Sequence, residues 1–423
     1  MDEGEGTMEP QDSYLQIRLH TKSPRFAVTD IPYSIPTTTA SSDLNLLVNQ
    51  LLGESAVENW IPVDFDFLIN GDILLTSVGE YVQQQQISSE NVISIEYIER
   101  APAPEPDRSL EHRDWVSAVH SFDDYILTGA YDNSVRVWNS RDGQLVLSHA
   151  AHTAPIKGVC WTTSSSFLTA SHDQTVALWN IDEGGKNVSP RAFFRGHANS
   201  VDALSLSPDR KKFCSVSWDK TLKIWSLEDD ATEEIAAPAD KKFKGENRKN
   251  LTKTPEMTLP GHKEAVSCCA WTGKTEIITG SWDHSIRIWD VELGGVSRQL
   301  DSSKAFTSLS YSSLNRTVIS GSSDRLIRLY DPRSHEGSVV KLGFLSHSGW
   351  VSSVAWSPNN DHLFISGSYD KVMKMWDARS PKAPLYDMAG HSDKILCCSW
   401  SDRNLLLSGG ADSALKVFSA ARV

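Results

Sequence analysis

A short phrase recurs seven times along the chain, and no other feature limits the fold as much. It sets Ser or Thr four residues before an Asp and an aromatic residue six after it. The copies are TGAYDNSVRVW ending at Trp138, TASHDQTVALW at Trp179, SVSWDKTLKIW at Trp225, TGSWDHSIRIW at Trp289, SGSSDRLIRLY at Tyr330, SGSYDKVMKMW at Trp376 and SGGADSALKVF at Phe418. The aspartates Asp132, Asp173, Asp219, Asp283, Asp324, Asp370 and Asp412 follow at intervals of 41, 46, 64, 41, 46 and 42 residues. A unit this short cannot bury its apolar face alone, so the copies must stack on one another as one array.

Within a copy, Leu222 and Ile224 alternate with Lys223, which is the pattern of a strand leaving a tight turn. The Asp at that turn can accept hydrogen bonds from its own backbone neighbours, and the Ser or Thr lies on the strand before it. A His stands 20 to 23 residues upstream of the Asp in six copies: His112, His152, His197, His262, His347 and His391. Period, upstream His and Trp-like ending together resemble the WD-repeat family, whose unit is a four-stranded blade of a β-propeller. The resemblance implies a hydrogen-bonded tetrad in each complete blade: His152, Thr169, Asp173 and Trp179; His197, Ser215, Asp219 and Trp225; His262, Thr279, Asp283 and Trp289. The fifth copy, with no His and with Tyr330 for Trp, is expected to hold the weakest one.

The repetition also argues against catalysis. Ser171-His172-Asp173 looks like a hydrolase triad, but a catalytic group is singular, whereas these residues return at fixed offsets in every copy. No GxSxG, HExxH or GxxxxGK[ST] sequence occurs. A non-enzymatic protein without catalytic residues, cofactor or small-molecule substrate is expected.

Charge separates the chain into two parts. Residues 1–100 carry 16 Asp and Glu against 4 Lys and Arg, a net of -12, while the whole chain is at -13, so the remainder is almost neutral. An acidic front part suits a cationic or metal-bearing partner better than nucleic acid. The opening MDEGEGTMEP lacks a basic n-region and an apolar core, and no apolar run reaches about 18 residues, so a soluble intracellular protein away from membranes is expected. The six cysteines show no CxxC spacing and read as reduced, buried thiols.

The acidic part has its own pattern. After a disordered acidic stretch at 1–13, YLQIRLHT alternates as a strand, and a second apolar segment spans Phe26 to Ile35. In SSDLNLLVNQLLGES, Ser41 or Ser42 can cap a helix with Leu44, Leu47, Val48 and Leu51 on one face. Asn70-Gly71 marks a hairpin, and NVISIEYIE supplies a last strand. This resembles a ubiquitin-like fold over 14–100, a curled sheet over one helix. The expected fold is therefore mainly β: a small α+β ubiquitin-like (β-grasp) domain ahead of a seven-bladed WD-repeat β-propeller at 112–423. Only SAARV follows Phe418, too little for an outer strand, so 101–111 is read as a linker and a possible closing strand.

A ubiquitin-like domain before seven such repeats resembles the ribosome-biogenesis WD-repeat proteins of the PeBoW complex. The shared text includes VDFDFLINGDILLTS, ISSENVISIEY, DWVSAV and ISGSYDKVMKMWDARSPKAPLYD. The resemblance implies binding of the propeller to the block-of-proliferation WD protein, association with Pescadillo, and a role in maturing large-subunit rRNAs (28S/25S and 5.8S) within the pre-60S particle. It further implies that the front domain docks on the AAA ATPase Midasin through Glu90 in ISSEN, which would ligate a Mg²⁺ held by the partner's adhesion domain. Nucleus, nucleolus and nucleoplasm are the implied locations.

Three surface features complete the reading. The long interval holds an acidic then basic insertion at about 228–256, with Lys241, Lys242, Lys244, Arg248, Lys249 and Lys253, expected to be disordered and to serve as a nuclear localisation signal or an RNA contact. The residues just before the turn Asp include Tyr131, Trp218, Trp282 and Tyr369, which in a propeller would lie at the rim of one face, as partner anchors or as packing between blades. An alternative function rests on WDAR at 376–379 and YDPR at 330–333, which resemble the WDxR motif of substrate receptors of cullin-RING ubiquitin ligases.

Overall fold

Alternation in the sequence becomes two separate cores. The structure, a computed structural model, describes residues 14–55, 60–74, 76–88, 91–100, 106–182, 185, 187–228, 251–333, 340–381, 383–402 and 405–419. It divides into Met1–Pro102 and Ala103–Val423.

In the first unit β1 (Tyr14–His20), β2 (Pro32–Pro36), α1 (Ser41–Ser55), β3 (Phe65–Ile69), β4 (Asp72–Ile73), α2 (Val78–Gln84) and β5 (Ile93–Glu99) follow in order. The sheet runs β2-β1-β5-β3-β4. Its β1–β5 pair is parallel and the others are antiparallel, which is the β-grasp arrangement. Leu15, Ile17 and Leu19 of β1 and Ile93, Ile95 and Tyr97 of β5 turn one face to the core, as period two requires. Asn70 and Gly71 both have positive φ, 55° and 89°, the conformation that a two-residue hairpin of this twist needs.

Three local expectations are corrected. Neither Ser41 nor Ser42 caps α1: Asp43 reaches back to accept the Ala40 N–H at 2.9 Å, while Ser41 Oγ donates to the Leu74 carbonyl at 2.6 Å. The buried stripe is Leu44, Val48 and Leu52, with Leu47 and Leu51 only half-buried at its edge. A second helix, α2, is present, capped by Ser77 Oγ accepting the Glu80 N–H.

The second unit contains seven sheets, six of four antiparallel strands and one with a fifth strand added, and the innermost strands close a ring in which the strand of the seventh sheet, Ile395–Ser399, packs on that of the first, Val116–Phe122. The chain is thus a β-propeller of seven blades. The outer strand of the seventh blade is β6 (Pro106–Glu111), antiparallel to Ala414–Ser419 with Leu110 opposite Leu415. Part of the insertion expected to be disordered is ordered: Leu251–Lys253 adds a fifth, parallel strand to the second blade beside Val188–Arg195. Lys253 Nζ there donates to the carbonyls of Ser226 and Glu228, because a strand returning along this edge brings its ammonium to the end of the Thr221–Ser226 strand.

Each turn is built alike. The residue after the turn Asp (Asn133, Gln174, Lys220, His284, Arg325, Lys371 and Ser413) has φ between 58° and 72° in all seven copies, and none is Gly. Such a residue costs on the order of 1 kcal/mol of strain. The Asp offsets it, since its Oδ1 accepts the N–H two residues on at 3.0–3.3 Å in every blade.

Candidate functional site

The tetrads come first because they fix the turns that carry the surface. In the fourth blade Trp289 Nε1 donates to Thr279 Oγ1 at 2.7 Å, Thr279 Oγ1 lies 2.7 Å from His262 Nε2, and His262 Nδ1 lies 2.9 Å from Asp283 Oδ2. An ionised carboxylate only accepts, so His262 carries its proton on Nδ1, and Nε2 accepts from the Thr hydroxyl. The chain Trp to Thr to His to Asp is then complete with a neutral imidazole. The second, third and sixth blades repeat it through Thr169, Ser215 and Ser366. The seventh has His391, Ser408 and Asp412 with Phe418 at the Trp position.

Two blades depart from the pattern. His112 joins Thr128 at 2.8 Å, but its Nδ1 lies 3.1 Å from the Leu110 carbonyl, and Asp132 instead takes Arg136 at 2.5 Å. In the fifth blade Asp324 holds Arg328. Arg287 occupies the same place in the fourth blade without disturbing Asp283. There Gly261 leaves room, since a Cβ at 261 would collide with Arg287 Nη1. Glu111 fills the corresponding place in the first blade.

Burial and bonding shift these groups in one direction. Burial alone raises the carboxyls of Asp173, Asp219 and Asp283, but hydrogen bonds from the His, from Thr or Ser two residues on and from backbone N–H outweigh it and hold them well below the carboxylate range. Burial lowers His197 and His262, with Asp219 and Asp283 opposing in part. Burial and a neighbouring arginine bring His112 and His120 to about 4. A histidine whose folded pKa is depressed contributes stability above its unfolded pKa of about 6.5 and loses it as pH falls toward the folded value. His112 and His120 together should therefore cost at most about 2 kcal/mol of stability between pH 6.5 and 5.5. Urea unfolding at those two pH values reads the loss, and an unchanged midpoint would contradict the neutral assignment.

Ser171-His172-Asp173 is not a triad. Ser171 Oγ donates to the Ala154 carbonyl, and Asp173 belongs to the tetrad of His152. All six thiols are free and buried, and burial pushes Cys160, Cys268 and Cys398 up to about 12.

The surface feature is the mouth of the central channel. In every blade the residue before the turn Asp donates its N–H to the carbonyl of the residue before the inner strand, at 2.9–3.2 Å, which pairs Tyr131 with Trp115, Trp218 with Ser200, Trp282 with Ala265 and Tyr369 with Trp350. The four expected aromatics thus sit together with two that sequence reasoning missed, Trp115 and Trp350. Trp218, Trp282, Trp350 and Tyr369 stay 41–45% exposed while packing in neighbouring pairs, with ring centroids 6.3 Å apart for Trp218–Trp282 and 5.9 Å for Trp350–Tyr369. Trp218 and Trp282 thus pack between the third and fourth blades, Trp350 and Tyr369 within the sixth, and all four remain exposed surface.

One residue into each inner strand the register slips, at Ser117, Lys157, Asp202, Ser267, Thr307, Ser352 and Leu396. These residues line a cavity of about 560 Å³ below the aromatic mouth. Four of them use the slip to tie blades together: the hydroxyls of Ser117, Ser267, Thr307 and Ser352 donate to the carbonyls of Ile156, Phe306, Val351 and Ile395 on the next blade. Lys157 and Asp202 break the series and bring charge to the mouth.

The remaining expected sites divide. Glu90 and the basic group Lys241, Lys242, Lys244, Arg248 and Lys249 lie outside the described residues, as do residues 1–13. In the two WDxR-like sequences Arg379 turns back on Asp377 at 2.6 Å and Arg333 on Asp331 at 3.0 Å.

Comparison with known proteins agrees with this organisation. A family model described as the NLE (NUC135) domain matches residues 15–82. One described as the WD domain, G-beta repeat, matches seven segments, 105–139, 143–180, 188–226, 253–290, 296–331, 339–377 and 382–419. A protein of Ixodes scapularis named Ribosome biogenesis protein WDR12 homolog is 45% identical over 421 residues, 96% of this chain and 99% of the relative. Proteins of the same name from Aedes aegypti and Drosophila virilis are each 41% identical, covering 96% and 98% of this chain. With seven WD repeats behind an NLE domain, and such identity along nearly its whole length, the chain belongs to this family of WD-repeat ribosome biogenesis proteins.

Proposed function

We propose that the chain is a non-enzymatic assembly factor of the large ribosomal subunit, working in the nucleolus and nucleoplasm within the pre-60S particle. The observation that carries this is the near full-length likeness to ribosome biogenesis proteins, joined to an exposed aromatic mouth on a rigid ring. Exposed aromatics fixed by backbone pairing suit a protein interface, because little side-chain freedom is lost on docking. In this reading the propeller binds the block-of-proliferation WD protein, Pescadillo completes the complex, and the acidic front domain presents Glu90 to the Mg²⁺ of Midasin. The basic insertion with Lys241, Lys242, Lys244, Arg248 and Lys249 serves nuclear import or contacts precursor rRNA.

The test is purification of tagged full chain from nuclear extract beside a chain lacking residues 1–100 and a Glu90→Ala chain. Pescadillo, the block-of-proliferation protein and precursor large-subunit rRNA should accompany all three. Midasin should accompany only the full chain, with at least a tenfold loss for Glu90→Ala. Midasin retained on Glu90→Ala would remove that residue from the proposal, and a cullin adaptor in place of the precursor rRNA would replace the assembly reading altogether.

A further inference from the structure

The channel mouth holds two cations whose arrangement its packing does not explain. Lys157 Nζ stands 3.3 Å from Tyr131 Oη and 5.5 Å from the centre of its ring. Lys394 Nζ lies over Trp115 at 4.6 Å and Tyr369 at 5.3 Å. Among the described residues neither has a carboxylate within ion-pair distance, whereas two other lysines that end turns are engaged: Lys220 with the Lys263 carbonyl at 2.7 Å and Glu264 at 3.8 Å, Lys371 with the Ser392 carbonyl at 2.8 Å. Asp202 favours the charge on Lys157 from a distance but forms no ion pair with either lysine. Asp202 already accepts from the Ser200 hydroxyl at 2.9 Å on one oxygen and from the Trp218 indole at 2.6 Å on the other. Burial disfavours the charge on Lys157, yet Tyr131 and Asp202 outweigh it and the ammonium stays charged.

We propose that this mouth receives a carboxylate-bearing segment of a protein partner, with the acid between Lys157 and Lys394 and its apolar neighbours against Trp218, Trp282 and Trp350. The inference deepens the docking surface proposed above and rests on that reading. Lys394 is held against two aromatic rings and Lys157 by the Tyr131 hydroxyl, so their positions are set before a ligand arrives and little freedom is lost on binding. The cavity of about 560 Å³ beneath them accepts a few side chains rather than a folded domain. Single-stranded RNA fits less well. The aromatic faces are turned to one another or to the lysines, Trp350 and Tyr369 lying 18° from parallel, so few are open for base stacking, and two cations are few for a phosphate chain.

The experiment selects random twelve-residue peptides displayed on phage against the immobilised full chain. It then measures the affinity of the selected peptides by fluorescence anisotropy. The selected sequences should carry Asp or Glu beside large apolar residues. Replacing those acids by Asn or Gln, and separately Lys157→Met or Lys394→Met in the chain, should each weaken binding about tenfold, with Lys220→Met unchanged. The amide peptides need no altered protein, so they decide the matter even where a lysine variant folds poorly. Selected sequences without acids, affinity indifferent to the amide exchange, tighter competitive binding by dodecauridylate RNA, or no selected sequence would each overturn the proposal. The purification described above reads which proteins assemble, not what group enters the channel, so either result can fail while the other stands.

Discussion

A chain that starts at residue 112 should lose its closed ring, while one that starts at 103 keeps it. In the longer chain β6 lies antiparallel to Ala414–Ser419, and Pro106 falls opposite Phe418 at a register break, where a missing N–H does least harm. Leu110 is buried with Val116, Val119, Trp138, Leu415 and Val417, so one side chain of β6 joins the cores of the seventh and first blades. The same strand sends Arg108 Nη1 to the Ser140 carbonyl at 2.9 Å and receives Lys416 Nζ on Ser109 at 3.0 Å. Its removal forfeits about four backbone hydrogen bonds at about 1 kcal/mol each and roughly 2 kcal/mol for Leu110. Against a usual stability of roughly 5–15 kcal/mol this is a large fraction.

The loss is also one of protection. Without β6, the strand Ala414–Ser419 becomes a free edge beside apolar side chains, a template for pairing with other chains. Calorimetry and size-exclusion chromatography of the two chains should show a midpoint lower by about 10 °C and soluble aggregates for the shorter one. Equal midpoints would mean that the ring closes by its inner strands alone, through contacts such as the Ser121 to Ser401 hydroxyl pair at 2.8 Å.

What could be read in the letters depended on whether an interaction recurs at fixed spacing. The His, Ser or Thr, Asp and Trp of the second, third and fourth blades recur, and each falls within hydrogen-bonding distance of its neighbour in the chain. His112 has nearly the same spacing but leaves the turn Asp, because Arg136 takes the carboxylate and the imidazole turns to the Leu110 carbonyl. Absence of Gly alone was no signal, since Ala151 and Ser346 precede the His of two complete tetrads, but Arg four residues after the turn Asp together with Glu before the His was one. Helix α2 was invisible because VGEYVQQ is too short to show a period, and its Ser77 cap looks like any loop serine. The mouth was half legible. Tyr131, Trp218, Trp282 and Tyr369 share one place before the turn Asp, but Trp115 and Trp350 precede the inner strand, and only the backbone pairing joins the two positions. Lys157 and Lys394 could be linked to that surface only once the register slip and the ring were known.

Thr279→Val should cost about 3 kcal/mol, and Ser320→Ala less than about 1, although both hydroxyls are fully buried on equivalent strands. Thr279 is the hub of its blade: its oxygen takes the Trp289 indole N–H and its proton goes to His262 Nε2. Valine keeps the shape and removes both bonds, which leaves a buried donor and a buried acceptor unpaired, each at about 1–3 kcal/mol. No histidine reaches Ser320, and Tyr330 stands where five other blades have Trp, so alanine there removes a hydroxyl that joins no Trp-to-His chain and at most meets the Tyr330 hydroxyl. The effect should also travel. His262 oriented by Thr279 is what holds Asp283, and Asp283 in turn fixes the left-handed His284 and the turn beside Trp282. Urea unfolding of the two variants measures the difference, and the exposed Trp282 in the native Thr279→Val chain should show increased fluorescence quenching by iodide. Equal losses at the two positions would mean that the tetrad is packing with incidental polarity, and the turns at the channel mouth would then owe their order to the strands alone.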